Sequence, residues 1–167
     1  MVAVRRSGVS VSNRQRRFRI STVRLASAVV RVLDLAGAGG GEVSLSLVSD
    51  RGIRTLNRDY RGRDEPTDIL SFAMQEGEWG DVSGNLLGDL VISLESVYRQ
   101  SRNTWSDGRP VTGTPQRELA LMTVHGLLHL LGYEHVRSRR GAARMIAREC
   151  ELFEQTWELF PDFAPGT

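Results

Sequence analysis

From Leu119 to Leu131 the chain carries no Asp, Glu, Lys or Arg, and in the same stretch it places two of its three histidines, His125 and His129. The segment before it, Thr114-Pro115-Gln-Arg-Glu118, puts proline at the first helical position and an acid in the first turn, the marks of a helix start. A helix that is apolar on every side belongs between other elements rather than on a surface. The fold must therefore bury this helix between a sheet and further helices, and whatever it carries is held rigidly. His125 and His129 are four residues apart, so both leave the same face with a rise of roughly 6 Å between them. Gly132 is placed to end the helix in the left-handed conformation, turning His135 back towards the same point.

Two imidazoles from a helix and one from the turn after it make three corners of a tetrahedron. A zinc ion with three protein ligands keeps the fourth corner for water, which is the arrangement of a catalytic site. Three imidazoles also suit nickel, copper or iron, so spacing leaves the metal open. A lone histidine on an apolar helix is ordinarily a satisfied core residue; three within the stretch 125–135, and none elsewhere, point to a metal site. The spacing is also that of the metzincin peptidases, His-Glu-x-x-His-x-x-Gly-x-x-His. Gly126 stands where those enzymes carry the glutamate that acts as general base, so the metal geometry survives while the proton acceptor is lost.

The 167 residues suit one domain spanning 1–167, with 1–8 expected to be flexible. Cys150 is the single cysteine, which forbids an internal disulfide and fits a reducing cytoplasm; it reads as a small core residue. No apolar run approaches a membrane span, and no signal-peptide core follows Met1, so a soluble protein is expected. The formal charge is only +2, yet every basic residue is arginine, and Arg5, Arg6, Arg14, Arg16, Arg17, Arg19, Arg24 and Arg31 all precede the first acid, Asp34. Such an arm suits phosphates; a solvated surface or a transit segment reads the same way.

Val9-Ser-Val-Ser alternates as a strand does, and Ser21 or Thr22 caps a helix to about Leu35. Val43-Ser-Leu-Ser-Leu-Val is a half-buried strand, and Asp50 caps a helix through Ile53 and Leu56. A polar loop with Arg61, Arg63, Asp64, Glu65 and Asp68 precedes a strand from Ile69 to Met74. Gln75 to Asn85 reads as a mobile connection, and Leu86 to Ile92 as the fourth strand. Asp89 inside that strand needs a partner: it orients a histidine through its second ring nitrogen, or it braces neighbouring backbone. Ser93 caps a helix through Tyr98, followed by the loop Asp107-Gly-Arg-Pro110. A last helix from about Gly141 shows an apolar stripe of Ile146, Cys150, Phe153 and Trp157, and Pro161 stops it.

With these segments placed, the chain from Val43 to about Glu149 resembles the YbeY family of bacterial ribosome-maturation endoribonucleases. The carriers are Leu56-Asn57, Tyr60-Arg61-Gly62, Pro66-Thr-Asp-Ile-Leu-Ser-Phe72, Leu87-Gly-Asp-Leu-Val-Ile92 and the stretch His125 to His135. The resemblance implies an α+β fold, a small mixed four-stranded sheet packed with about five helices, the central one buried and carrying metal ligands. It also implies one zinc ion held by His125, His129 and His135. The implied activity is cleavage of single-stranded RNA in ribosome biogenesis, with 16S rRNA 3′-end maturation and ribosome quality control as the setting. Ribosomal RNA and the small ribosomal subunit are the partners that follow, in the cytoplasm. The family's Tyr-Arg-Gly arginine falls on Arg61. Glu134 replaces a usual aspartate, and Arg137, Arg139 and Arg140 replace an often acidic segment, which makes a cationic rim.

Metal-assisted phosphodiester hydrolysis joins the two lines of argument. Arg61 is then expected beside the phosphoryl oxygens and His125 at the metal, both catalytic. Asp68, Asp89 and Glu134 are candidates for proton transfer or ligand support, and Arg63, Arg137, Arg139 and Arg140 for RNA binding. Arg61 and the histidines are expected to face each other across one cleft. The rival readings are a metzincin-like metallopeptidase and a non-catalytic ribosome-assembly factor with a structural zinc.

Overall fold

The alternation at Val9 and at Val43 produces strands, and tertiary pairing lays them side by side. β2 (Val9–Asn13) and β4 (Glu42–Val48) run parallel, joined by helix α1 (Thr22–Leu35), whose N-cap Ser21 accepts from the Arg24 amide. The structure is a computed structural model that describes residues 2–74, 84–102, 112–133 and 138–166. Most of the connection expected at 75–85, and all of the loop at 107–110, lie outside these residues.

Helix α2 (Asp50–Arg61) follows β4, capped by Ser49 rather than by Asp50, and leads to the hairpin of β5 (Ile69–Ala73) and β6 (Leu86–Ser93). Then come α3 (Leu94–Gln100), α4 (Pro115–Leu130) and α5 (Arg139–Thr156), with a 3-10 turn at Trp157–Leu159. The class is α+β with a mixed sheet and five helices, as the sequence implies. The sheet has five strands in the order β1-β2-β4-β6-β5, not four. The added strand is β1 (Val2–Arg6), in the stretch expected to be flexible; it pairs antiparallel with β2. Ser7 and Gly8 join the two with φ of 44° and 85°, the positive angles of a tight hairpin turn. Arg5 and Arg6 hid this strand, because its order comes from the neighbour it pairs with. Phe18–Arg19 (β3) and Ala164–Pro165 (β7) form a separate two-stranded ribbon.

The two faces of the sheet are covered differently. Leu45, Leu47, Leu90, Ile92 and Ile69 pack with α1, α4 and α5 in the main core. On the other face Ile53 of α2 packs with Leu70 and Val91 in a small separate cluster. Among the described residues β5 and β1 are the edge strands of this sheet. Among the described residues no helix is long and apolar enough to cross a membrane.

α5 departs from its expected stripe. Its buried residues are Met145, Glu149, Leu152, Phe153 and Thr156, while Ile146 and Cys150 are only half-buried. The inner face is turned by about one position because it contains a glutamate, which a purely apolar pattern passes over.

Asp50 clamps α2 to the β6–α3 junction, accepting from Ser93 Oγ at 2.6 Å, Ser96 Oγ at 2.7 Å and Arg99 Nη1 at 3.0 Å. Burial raises its carboxyl pKa, but these three hydrogen bonds and the guanidinium charge outweigh it and hold Asp50 below the ordinary carboxylate range. A depressed native pKa contributes stability above the unfolded value of about 3.9, lost as pH falls through the native value. Asp50→Asn should therefore melt below wild type near neutral pH, with the gap closing below about pH 4. Circular-dichroism melts across that range measure it; a gap independent of pH would show that the charge contributes nothing.

Candidate active site

α4 begins and ends as its sequence dictates. Thr114 Oγ accepts from the Arg117 amide and Pro115 occupies the first turn. At the other end Gly132 has φ 87°, its amide bonds to His129 O at 3.0 Å, and the Tyr133 amide reaches Leu128 O at 3.0 Å. This pair of bonds is the Schellman stop, which satisfies carbonyls that the helix leaves over. Between these caps the helix is buried on nearly all sides, and only His125 and His129 among its last two turns remain half-buried.

Gly126 shows why a base is missing beside the first histidine. A Cβ built there would lie 2.5 Å from Ile69 Cδ1, 2.9 Å from Leu90 Cδ2 and 3.3 Å from Ser71 Oγ. The position faces β5 and β6, and a side chain there must displace the ends of Ile69 and Leu90 within the core. A glutamate at 126 would therefore meet the sheet. The peptidase reading loses its general base for a packing reason.

His125 and His129 project together from this anchored helix. Their rings meet edge to face with centroids 4.6 Å apart, and the two Nε2 atoms are 3.1 Å apart. Two nitrogens each about 2.0–2.1 Å from one zinc at the tetrahedral angle stand roughly 3.3 Å apart, so this pair fits one edge of a zinc site. On the far side of the His125 ring, Nδ1 lies 2.7 Å from Oε1 of Glu149, a residue with no exposed surface. A carboxylate only accepts, so this contact puts the proton on Nδ1 and leaves the His125 Nε2 lone pair aimed at His129. His135 lies outside the described residues, as do Glu134 and Arg137. Among the described residues no third His, Cys, Asp or Glu completes the pair.

The other sequence candidates are distributed more widely. Asp68 Oδ1 accepts from the Ile69 amide at 2.8 Å and from Thr67 Oγ1 at 3.2 Å, and its carbonyl accepts from the Ser93 amide, so it braces the start of β5. Asp89 pairs with Phe72 across the β5–β6 ladder and faces the α2 side. There it lines a cavity of about 390 Å³ with Arg14, Ser44, Ser46, Tyr60 and Phe72. The carboxylate on the His125 ring nitrogen is Glu149, whereas Asp89 faces the α2 side of the sheet. Arg61 sits in the last turn of α2, exposed, with no ion pair among the described residues. It is on the α2 side of the sheet, and next to it Tyr60 packs edge-on against Phe72 at 5.2 Å. Between Arg61 and the histidines stands strand β5, where Ser71 underlies Gly126 and Phe72 underlies Tyr60. Arg63, Arg139 and Arg140 are all exposed, the last two in the first turn of α5.

The site is a histidine pair fixed on a buried helix of an α+β frame, beside β5, an edge strand among the described residues. Residues 10–156 match the family model described as Endoribonuclease YbeY. The Endoribonuclease YbeY of Geobacter sulfurreducens is 39% identical over 150 residues, covering 87% of this chain and 93% of that protein. The one from Moorella thermoacetica is 43% identical over 151 residues, covering 84% and 91%. The solution structure of TM1509 from Thermotoga maritima superposes with a TM-score of 0.52 at 25% identity, covering 81% of this chain and 78% of that one. The chain belongs to the YbeY endoribonuclease family.

The close packing at Gly126 makes a direct prediction. Gly126→Ala should cost about 1–3 kcal/mol through overpacking against Ile69 and Leu90, lowering Tm by roughly 2–4 °C per kcal/mol. Gly126→Glu should fail to fold and should gain no peptidase activity. A well-folded Gly126→Glu protein that cleaves casein would reverse the assignment of this position to the sheet.

Proposed function

We propose that this protein is a zinc-dependent endoribonuclease that cuts single-stranded RNA during ribosome biogenesis, acting on the 3′ end of small-subunit ribosomal RNA in the cytoplasm. The observation that carries the reading is the histidine pair: two Nε2 atoms converge at 3.1 Å while the other nitrogen of His125 is held by a buried carboxylate. Family membership supplies the nuclease class. His125, His129 and, by its place in the sequence, His135 are the residues that would hold the metal. When bound, zinc supplies Lewis acidity, the property that makes water a nucleophile near pH 7.

The chain's own residues then have separate tasks. Arg61, exposed and free of any ion pair among the described residues, binds the non-bridging phosphoryl oxygens and neutralises the charge that grows on them. Because β5 is an edge strand, RNA crossing its open margin meets Arg61 from the α2 side and the histidines from the α4 side. Arg63, Arg139 and Arg140, joined by Arg137, hold the flanking phosphates and add no base specificity. Asp68 is committed to the β5 backbone and takes no part in proton transfer.

Purified protein should contain one equivalent of zinc. A chelator should abolish cleavage of a single-stranded ribosomal RNA 3′ end, and zinc should restore it. Arg61→Ala should lower kcat by about 10²-fold with Tm unchanged, the size of loss seen when one transition-state donor is removed. Normal cleavage by that variant would remove Arg61 from the mechanism. His129→Ala, which leaves the His125–Glu149 pair intact, should lose cleavage and remain folded; if it unfolds instead, the metal is structural.

A further inference from the structure

Glu149 is an unusual residue for the place it occupies. It sits on the inner face of α5 between Met145 and Leu152, is fully buried, and among the described residues has one hydrogen-bond partner, the Nδ1 of His125. Its second oxygen, Oε2, is buried and makes no hydrogen bond among the described residues. A carboxylate enclosed in this way destabilises a fold relative to an apolar residue of similar size. Packing alone would be served better by another methionine or leucine. What the carboxylate does that they cannot is direct the imidazole: it accepts the Nδ1 proton, fixes the ring plane and leaves Nε2 unprotonated and facing His129.

We propose that Glu149 is the positioning residue of the site, holding His125 in the Nδ1–H tautomer so that its Nε2 is a ligand before any metal arrives. The proposal rests on the reading of His125 and His129 as metal ligands. It also gives α5 a function. The buried stripe of that helix braces α4 and at the same time delivers negative charge to the back of the imidazole, which makes the ring a stronger donor. Glu149 touches neither RNA nor the reacting phosphorus in this scheme, so its effect is transmitted through His125.

The test uses the full chain with Glu149→Met and Glu149→Gln, read in three ways. The first is Co(II) and Zn(II) affinity, by competition with a chromophoric chelator. Glu149→Met should lose about 10- to 100-fold, and Glu149→Gln, which keeps an acceptor oxygen, should lose less. The second is the melting temperature in chelator, where Glu149→Met leaves the His125 Nδ1–H without its acceptor and should fall below wild type, with a smaller fall for Glu149→Gln. The third is the long-range proton–nitrogen NMR spectrum of the metal-free protein at alkaline pH. Wild type and Glu149→Gln should show His125 in the Nδ1–H form, and Glu149→Met should show a mixture. An affinity loss and a tautomer mixture, both read at a temperature where the variant is fully folded, separate positioning from a structural role, which would lower the melting temperature alone.

The proposal is overturned if Glu149→Met binds Co(II) within about threefold of wild type, or if its His125 keeps a single Nδ1–H tautomer. Should Glu149→Met not fold, the proposal stands or falls on Glu149→Gln, whose affinity must then be reduced. If wild type binds neither ion, the metal reading fails on its own account, and the NMR comparison still decides whether Glu149 sets the tautomer.

Discussion

The site depends on how closely α4 lies on the sheet. With a glycine at 126 the helix backbone comes down onto Ile69, Ser71 and Leu90, and the residues on either side of that contact are carried with it. His125 and His129 are thereby fixed relative to β5 and β6 by packing, which is dense and resists small displacements. The same approach makes any side chain at position 126 displace Ile69 and Leu90. The helix thus trades a built-in base for rigidity, and the remaining chemistry has to come from other elements.

The contact between α4 and α5 completes that arrangement. Met145, Leu152 and Phe153 are packed with α4 in the main core, and Glu149 enters among them to reach His125. A polar group in such a place is tolerated when it is hydrogen-bonded, and its single bond is to a residue of the site. Core and site are therefore not separate layers in this protein, since one helix face serves both. The sheet's opposite side is built more loosely, with α2 covering Leu70 and Val91 and a groove left open beside Asp89, Tyr60 and Phe72.

Much of this was legible in the sequence, and the failures have specific causes. The caps at Ser21, Ser93 and Thr114, the proline at 115 and the left-handed glycine at 132 are local signals that depend on a few adjacent residues, and the structure follows them. β1 was hidden because its hydrogen bonds are all to another strand. Glu149 was hidden because an acid on a helix reads as solvent-facing unless its distant partner is known. The side of the sheet that Asp89 faces was not legible for a related reason: alternation places it opposite Leu90, but strand order is needed to know which face holds His125 and His129.

By itself the sequence determined a buried helix with two histidines on one face and a turn after it, since helical periodicity and capping are set by neighbours along the chain. Which carboxylate stands behind His125, what a side chain at 126 would meet, and which residues of β5 lie against Gly126 and Tyr60 were decided only in three dimensions. Those facts depend on contacts between segments tens of residues apart, such as the 24 positions from His125 to Glu149, and no local pattern encodes them. The sequence therefore specified the histidine pair, and the tertiary packing specified how it is held.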